Sequence, residues 1–207
     1  MSRLRKIFIL IIFSIGFLAM MFYISSENNL SPPYQVNKGP GPGPVKGPAP
    51  FPGVKVPFEV VVRAWSIRNI TLFLPTFLPH DLKPTAAYVL IDKNGNIGNV
   101  AIFLYSNKSH DRIETAELTI EVYPAEDLPF DPKSTKGGVF TTIGGWKVYY
   151  KEEAPVTWEE YQQLYGSYAR LISIYINGLN YLYRGAPPLT IQDMIKIVES
   201  MQPTKIS

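Results

Sequence analysis

Any chemistry in this chain would have to come from a few polar pairs. His80 and His110 are its two histidines, and each is followed by an aspartate, Asp81 or Asp111. A His–Asp pair can bind a metal or relay a proton. Sequence neighbours rarely converge on one atom, however, and no nucleophile motif accompanies them, so ordinary loop histidines are expected. Asp92-x-Asn94-x-Asn96 has the oxygen spacing of a calcium loop. Ile97 stands where that loop needs glycine and Phe103 where it needs glutamate, which leaves a tight hairpin turn as the better reading. Glu152-Glu153 and Glu159-Glu160 are paired carboxylates. Neighbours on a strand or helix point apart, whereas a glycosidase needs two carboxylates facing across a cleft. Solvated surface accounts for them. An exported hydrolase would require His80, His110 and a carboxylate to meet in one pocket. No catalytic residue, no metal site and no cofactor is predicted, and the chain reads as a non-enzyme.

Tyrosine is the unusual residue, with 13 copies. Trp158, Tyr161, Tyr165 and Tyr168 follow one another at helical spacing. Such rings bury area yet keep a polar tip, so they could line a partner or ligand surface. The plainer expectation is that the stripe packs its helix onto a sheet. Asn29-Leu-Ser31, Asn69-Ile-Thr71 and Asn107-Lys-Ser109 fit the N-glycosylation sequon.

These residues are carried by a chain in three parts. Arg3, Arg5 and Lys6 precede an uncharged apolar run from Ile7 to Ile24, 18 residues long. That is enough to cross a bilayer as a helix. The rival is a cleaved signal peptide, but the run is longer than a usual signal core and ends on bulky residues. A signal-anchor over residues 1–24 is expected, with the basic N-terminus in the cytoplasm and the rest outside. Residues 25–57 form a spacer in which nine prolines lie between Pro32 and Pro57, interleaved with glycine. The spacer is expected to act as a passive stalk. Residues 58–203 are the extracytoplasmic domain. Residues 56–207 hold 14 lysines and arginines against 16 acidic residues, so the basic excess belongs to the anchor and spacer. A nucleic-acid-binding domain would show the opposite. With no cysteine, stability must come from an ordinary core.

Within the domain, Phe58–Trp65 (FEVVVRAW) is β-branched and predicts a strand. Further strands are predicted at Ala86–Asp92, Val100–Tyr105, Glu117–Tyr123, Val139–Ile143, Trp146–Lys151, Ala169–Ile176 and Leu179–Tyr183. Gly144-Gly145 and Asn177-Gly178 supply turns. Alternation of Leu118, Ile120 and Val122 with Glu117, Thr119 and Glu121 predicts a sheet with one wet face. Thr157 with Glu160 predicts a capping box opening the aromatic helix. Thr190 predicts the cap of a last helix with Ile191, Met194, Ile195, Val198 and Met201 on one face. The predicted class is α+β: a curved antiparallel sheet of about seven strands with a C-terminal helix on one face, preceded by an N-terminal transmembrane helix.

Leu74-Pro75-x-x-Leu78-Pro79, the strands at Val100–Tyr105 and Leu118–Val122, Gly144–Tyr150, and Asn177–Tyr181 followed by Leu189-Thr190-x-x-Asp193-Met194 come in one order. That order resembles the DUF4367 family over roughly residues 70–202. His80-Asp81 departs from it, as does the helix over Thr157–Tyr168. The resemblance implies an exported or membrane-anchored domain with similarity to lipoprotein-carrier folds, in a family of unknown biochemical function.

The expected function is a membrane-anchored interaction module that presents its domain to an envelope protein partner. The alternative is a carrier of a lipid or other apolar ligand in the concave face of the sheet. The inner face separates the two. A carrier needs an unfilled cavity there, while an interaction module fills it with the last helix and the aromatic stripe.

Overall fold

The computed structural model describes residues 53–92, 95–130 and 137–204. The predicted anchor, most of the spacer and Asn29 lie outside the described residues. No helix among the described residues is long and apolar enough to cross a membrane.

The domain is α+β. Its main sheet has eight strands in the order β1-β3-β4-β5-β9-β8-β7-β6, and every pairing is antiparallel. These are β1 (Val54–Val56), β3 (Lys83–Ile91), β4 (Ile97–Ser106), β5 (Leu118–Pro124), β6 (Val139–Ile143), β7 (Trp146–Pro155), β8 (Tyr168–Ile176) and β9 (Leu179–Gly185). A separate pair joins β2 (Phe73–Pro75) to β10 (Met201–Pro203). Three described helices are α1 (Phe58–Ile67), α2 (Glu159–Tyr165) and α3 (Ile191–Glu199).

Seven of the eight main strands stand where the alternating patterns and turn signals put them. The eighth is β1, which comes from the last residues of the predicted spacer. FEVVVRAW is not a strand but the body of α1. Strand propensity is a weak prior that tertiary context overrides, and here the ends of the segment decide. Pro57 occupies the N-cap position, and Glu59 lies in the first turn, where a carboxylate favours the helix dipole. At the far end Asn69 takes a left-handed φ of 59°. Asn69 N–H donates to the Ser66 carbonyl at 2.9 Å and Ile70 N–H to the Trp65 carbonyl at 2.9 Å. That pair of bonds is a Schellman C-cap.

Helical spacing turns Val61 and Trp65 inward, where both are fully buried. They pack with α3, whose Ile191, Met194, Ile197 and Val198 are buried, on the face formed by Val89, Phe103, Ile120, Ile172, Ile174, Tyr181 and Tyr183. Trp65 Nε1 donates to the Gly98 carbonyl at 3.1 Å. Phe58 stands 5.0 Å from Phe103, ring centre to ring centre. Thr190 caps α3 through a full capping box with Asp193. Gly185 lets α3 close on the sheet, since a Cβ there would lie 2.5 Å from Met194 Sδ. The inner face is thus filled by α1 and α3. The expected partner of α3 in this role, the aromatic stripe, covers the other face.

That other face is not wet. Thr119 is buried, and Glu117 is 2% exposed. Three smaller apolar clusters cover it, built on Ile102 and Leu104, on Tyr161 and Ala186, and on Tyr149 and Leu171. Their outer parts come from Ile113 and Ala116, from α2, and from Leu128 and Phe130. Charged residues at alternate positions suggest a solvent face only when nothing folds back over them.

A helix and a strand at 58–67 make opposite predictions for Trp65 and Ile67. A strand would place them on one side; the helix buries Trp65 and leaves Ile67 76% exposed. Trp65→Ala is expected to cost about 3–5 kcal/mol in urea unfolding of the full chain. Ile67→Ala is expected to cost less than about 0.5 kcal/mol.

Candidate functional site

The aromatic stripe seats α2 against the end of the sheet. Trp158 is the N-cap of α2, and its side chain makes no capping bond. Tyr161 is fully buried, Trp158 and Tyr165 are half-buried, and Tyr168, 52% exposed, opens β8 rather than ending the helix. The capping box expected of Thr157 and Glu160 is not the start of the helix. Glu160 instead pairs with Arg112 at 2.9 Å, which ties α2 to the segment before β5.

The helix sits on a cation. The Arg184 guanidinium, from β9, lies 4.5 Å from the Trp158 ring centre and 5.1 Å from that of Tyr161. Its Nη2 donates to the Ile113 carbonyl. Nη1 has no partner among the described residues. Burial pulls the guanidinium down to about 10, still cationic at neutral pH. Burial pushes the Tyr161 phenol up to about 12, opposed by Arg184. A guanidinium desolvated between two rings is strongly held.

Beside Arg184 lies a polar nest. Tyr165 Oη donates to the Thr115 carbonyl at 2.7 Å, and His110 Nδ1 lies 2.7 Å from the same oxygen. The carbonyl only accepts, so Nδ1 carries the proton. Glu117 Oε1 stands 3.8 Å from His110 Nδ1. Both Glu117 oxygens are buried without a hydrogen-bond partner among the described residues. Burial, and then the neighbouring Glu117 carboxylate, hold the Tyr165 phenol well above its ordinary range. The nest gathers an imidazole, a carboxylate and a phenol beneath α2.

The other histidine is elsewhere. His80 Nε2 is 3.3 Å from Asp193 Oδ2 at the start of α3, so His80 and His110 do not share a pocket. His80 and Asp81 both have left-handed φ, 56° and 57°. Asn107 Nδ2 donates to the His80 carbonyl at 3.1 Å, which engages one sequon side chain; Asn69 is exposed at the end of α1. The Asp92 carboxylate accepts from Asn96 N–H at 2.9 Å and from Asn96 Nδ2 at 3.1 Å, closing a hairpin turn. Asn94 lies outside the described residues. Glu152 and Glu153 are exposed on β7. No three metal-ligating side chains gather among the described residues.

Sequence reasoning missed Glu121. It faces the covered side from the middle of β5, between Ile102 of β4 and Leu182 of β9. Burial alone pushes its carboxyl from 4.5 up to about 7. Its signal was a charged residue in a strand whose neighbours are apolar.

No protein-family model, no curated protein and no solved structure matches the chain.

Two measurements follow from this geometry. Arg184→Lys keeps the charge but loses the planar stack, and is expected to cost about 2 kcal/mol. It should speed amide exchange in α2 while leaving α3 unchanged. Glu121 binds a proton in the folded state at pH values where the unfolded chain has released it. Stability conferred at low pH is therefore lost as pH rises from 4.5 through about 7. Glu121→Gln should flatten that loss in urea midpoints taken from pH 4.5 to 8, and a parallel pH dependence in both proteins would rule Glu121 out as its source.

Proposed function

We propose that the chain is a membrane-anchored extracytoplasmic binding module, held by a transmembrane helix over residues 7–24 and a proline-rich stalk. Its folded domain, DUF4367-like in the order of its motifs, meets an envelope protein partner through its surface. It is not an enzyme on this reading.

The observation that carries the proposal is the filled inner face. Trp65, Val61, Met194, Ile197 and Val198 are buried against Phe103, Ile120 and Tyr181. The volume that an apolar ligand would need is occupied by the protein's own side chains, and close packing leaves little to spare. This favours a surface role over the alternative, a carrier of a lipid or apolar ligand in a concave face. On α2 and the start of β8, Leu164 and Tyr168 remain exposed and available to a partner, while Tyr161 and Arg184 hold the element that presents them.

The basic N-terminus and apolar run support the anchor. The full chain should stay with membranes through alkaline extraction, and release into the soluble fraction would refute the anchor. A photoreactive fatty acid added to the full chain tests the carrier reading separately. Labelling is expected within residues 7–24 only. Labels on Trp65, Phe103 or Ile197 would overturn the surface reading in favour of a carrier.

A further inference from the structure

The two ends of the eight-stranded sheet are built differently. β1 is three residues long, carries Lys55, which pairs with Asp111, and is followed by Pro57. A short strand, a lysine and a proline are the usual guards against edge-to-edge pairing. β6 has none of them. Val139-Phe140-Thr141-Thr142-Ile143 is uncharged, free of proline and rich in β-branched residues. It pairs with β7 in unbroken register from Val139↔Tyr150 to Ile143↔Trp146, with no bulge to turn the edge away.

The hairpin fixes which backbone groups of β6 are open. Gly144 and Gly145, both at positive φ, form a two-residue turn between Ile143 and Trp146. The residues flanking such a turn exchange hydrogen bonds, and pairing groups alternate sides along a strand. Thr141 and Val139 therefore point their N–H and C=O groups at β7, and Phe140 and Thr142 point theirs outward. Among the described residues those outward groups meet no backbone partner. Val139, 45% exposed, adds an uncovered apolar side chain at the same edge.

We propose that β6 pairs antiparallel with β6 of a second copy of this chain, about a twofold axis at Thr141. The strand's own symmetry selects that occupant. Pairing about Thr141 sets Phe140 against the second copy's Thr142, where the outward groups exchange hydrogen bonds. It sets Val139 against the second copy's Ile143, so the exposed side chain is covered by an apolar one on the same face. No charge meets a like charge, because the strand carries none. The contact is isologous and closes at two copies, joining two sheets into one.

Thr141 becomes a non-hydrogen-bonded pair with itself across the axis, at about 4.5 Å between Cα atoms, inside the range a disulfide spans. The chain has no cysteine of its own, so Thr141→Cys in the full-length protein is a clean reporter. Mild oxidation should convert most of it to a disulfide-linked dimer. Ser66→Cys, exposed on α1, should give at least tenfold less. Adding Thr142→Pro removes an outward N–H that the fold does not use. It should cut the Thr141→Cys cross-link at least tenfold with an unchanged melting temperature. Thr142→Lys serves the same purpose where the proline variant fails to fold. A Thr141→Cys yield no higher than that of Ser66→Cys overturns the proposal. So does a yield that both Thr142 variants leave undiminished.

Discussion

The whole domain answers to one constraint: its sheet is buried on both faces at the centre. From Val100 to Ser106 every residue of β4 is buried, and so are five of the seven positions of β5; Glu121 is half-buried and the terminal Pro124 exposed. An antiparallel sheet can leave one face to water, but this one cannot. One side is closed by α1 and α3 in a continuous core, the other by three smaller patches drawn from α2 and two connecting segments. Each helix is placed by the face it must cover.

The two covers differ in kind. On the inner side the cover is hydrocarbon and aromatic, tightened by Gly185 under Met194. On the outer side polar groups are trapped beneath it: Glu117, Arg184, Asn180 and Ser173 are all buried, and Ser173 Oγ donates to Asn180 Oδ1 at 2.7 Å. Burying a charge is costly unless rings or hydrogen bonds replace its water. Arg184 has Trp158, Tyr161 and a carbonyl for that purpose; Glu117 has the His110 ring and the Tyr165 phenol beside it. The outer cover is therefore the less secure of the two.

Much of this was legible in the residues. Asn177-Gly178 and Gly144-Gly145 marked their hairpins because positive φ is cheap at those positions, and Thr190 marked the start of α3. FEVVVRAW misled because five β-branched or aromatic side chains outweighed the quieter end signals, Pro57, Glu59 and Asn69. The wet face misled because the covering segments, around 113–116 and 128–130, have no periodic pattern of their own. At the site, the helical spacing of Trp158, Tyr161 and Tyr165 was readable, and so was its packing role. The Arg184 seat was not, since one arginine in a strand gives no sign of what folds over it. Nor was the meeting of His110 with Tyr165, 55 residues away in sequence.

The central claim is that α1 closes the inner face as an integral part of the core, leaving surface rather than cavity for binding. Amide hydrogen exchange on the full-length chain tests it directly. The amides of Val62, Trp65 and Ser66 should exchange as slowly as those of Phe103 and Ile120, through global unfolding alone. Fast exchange across 58–67 with the sheet still protected would show a helix that opens by itself, and would contradict the account.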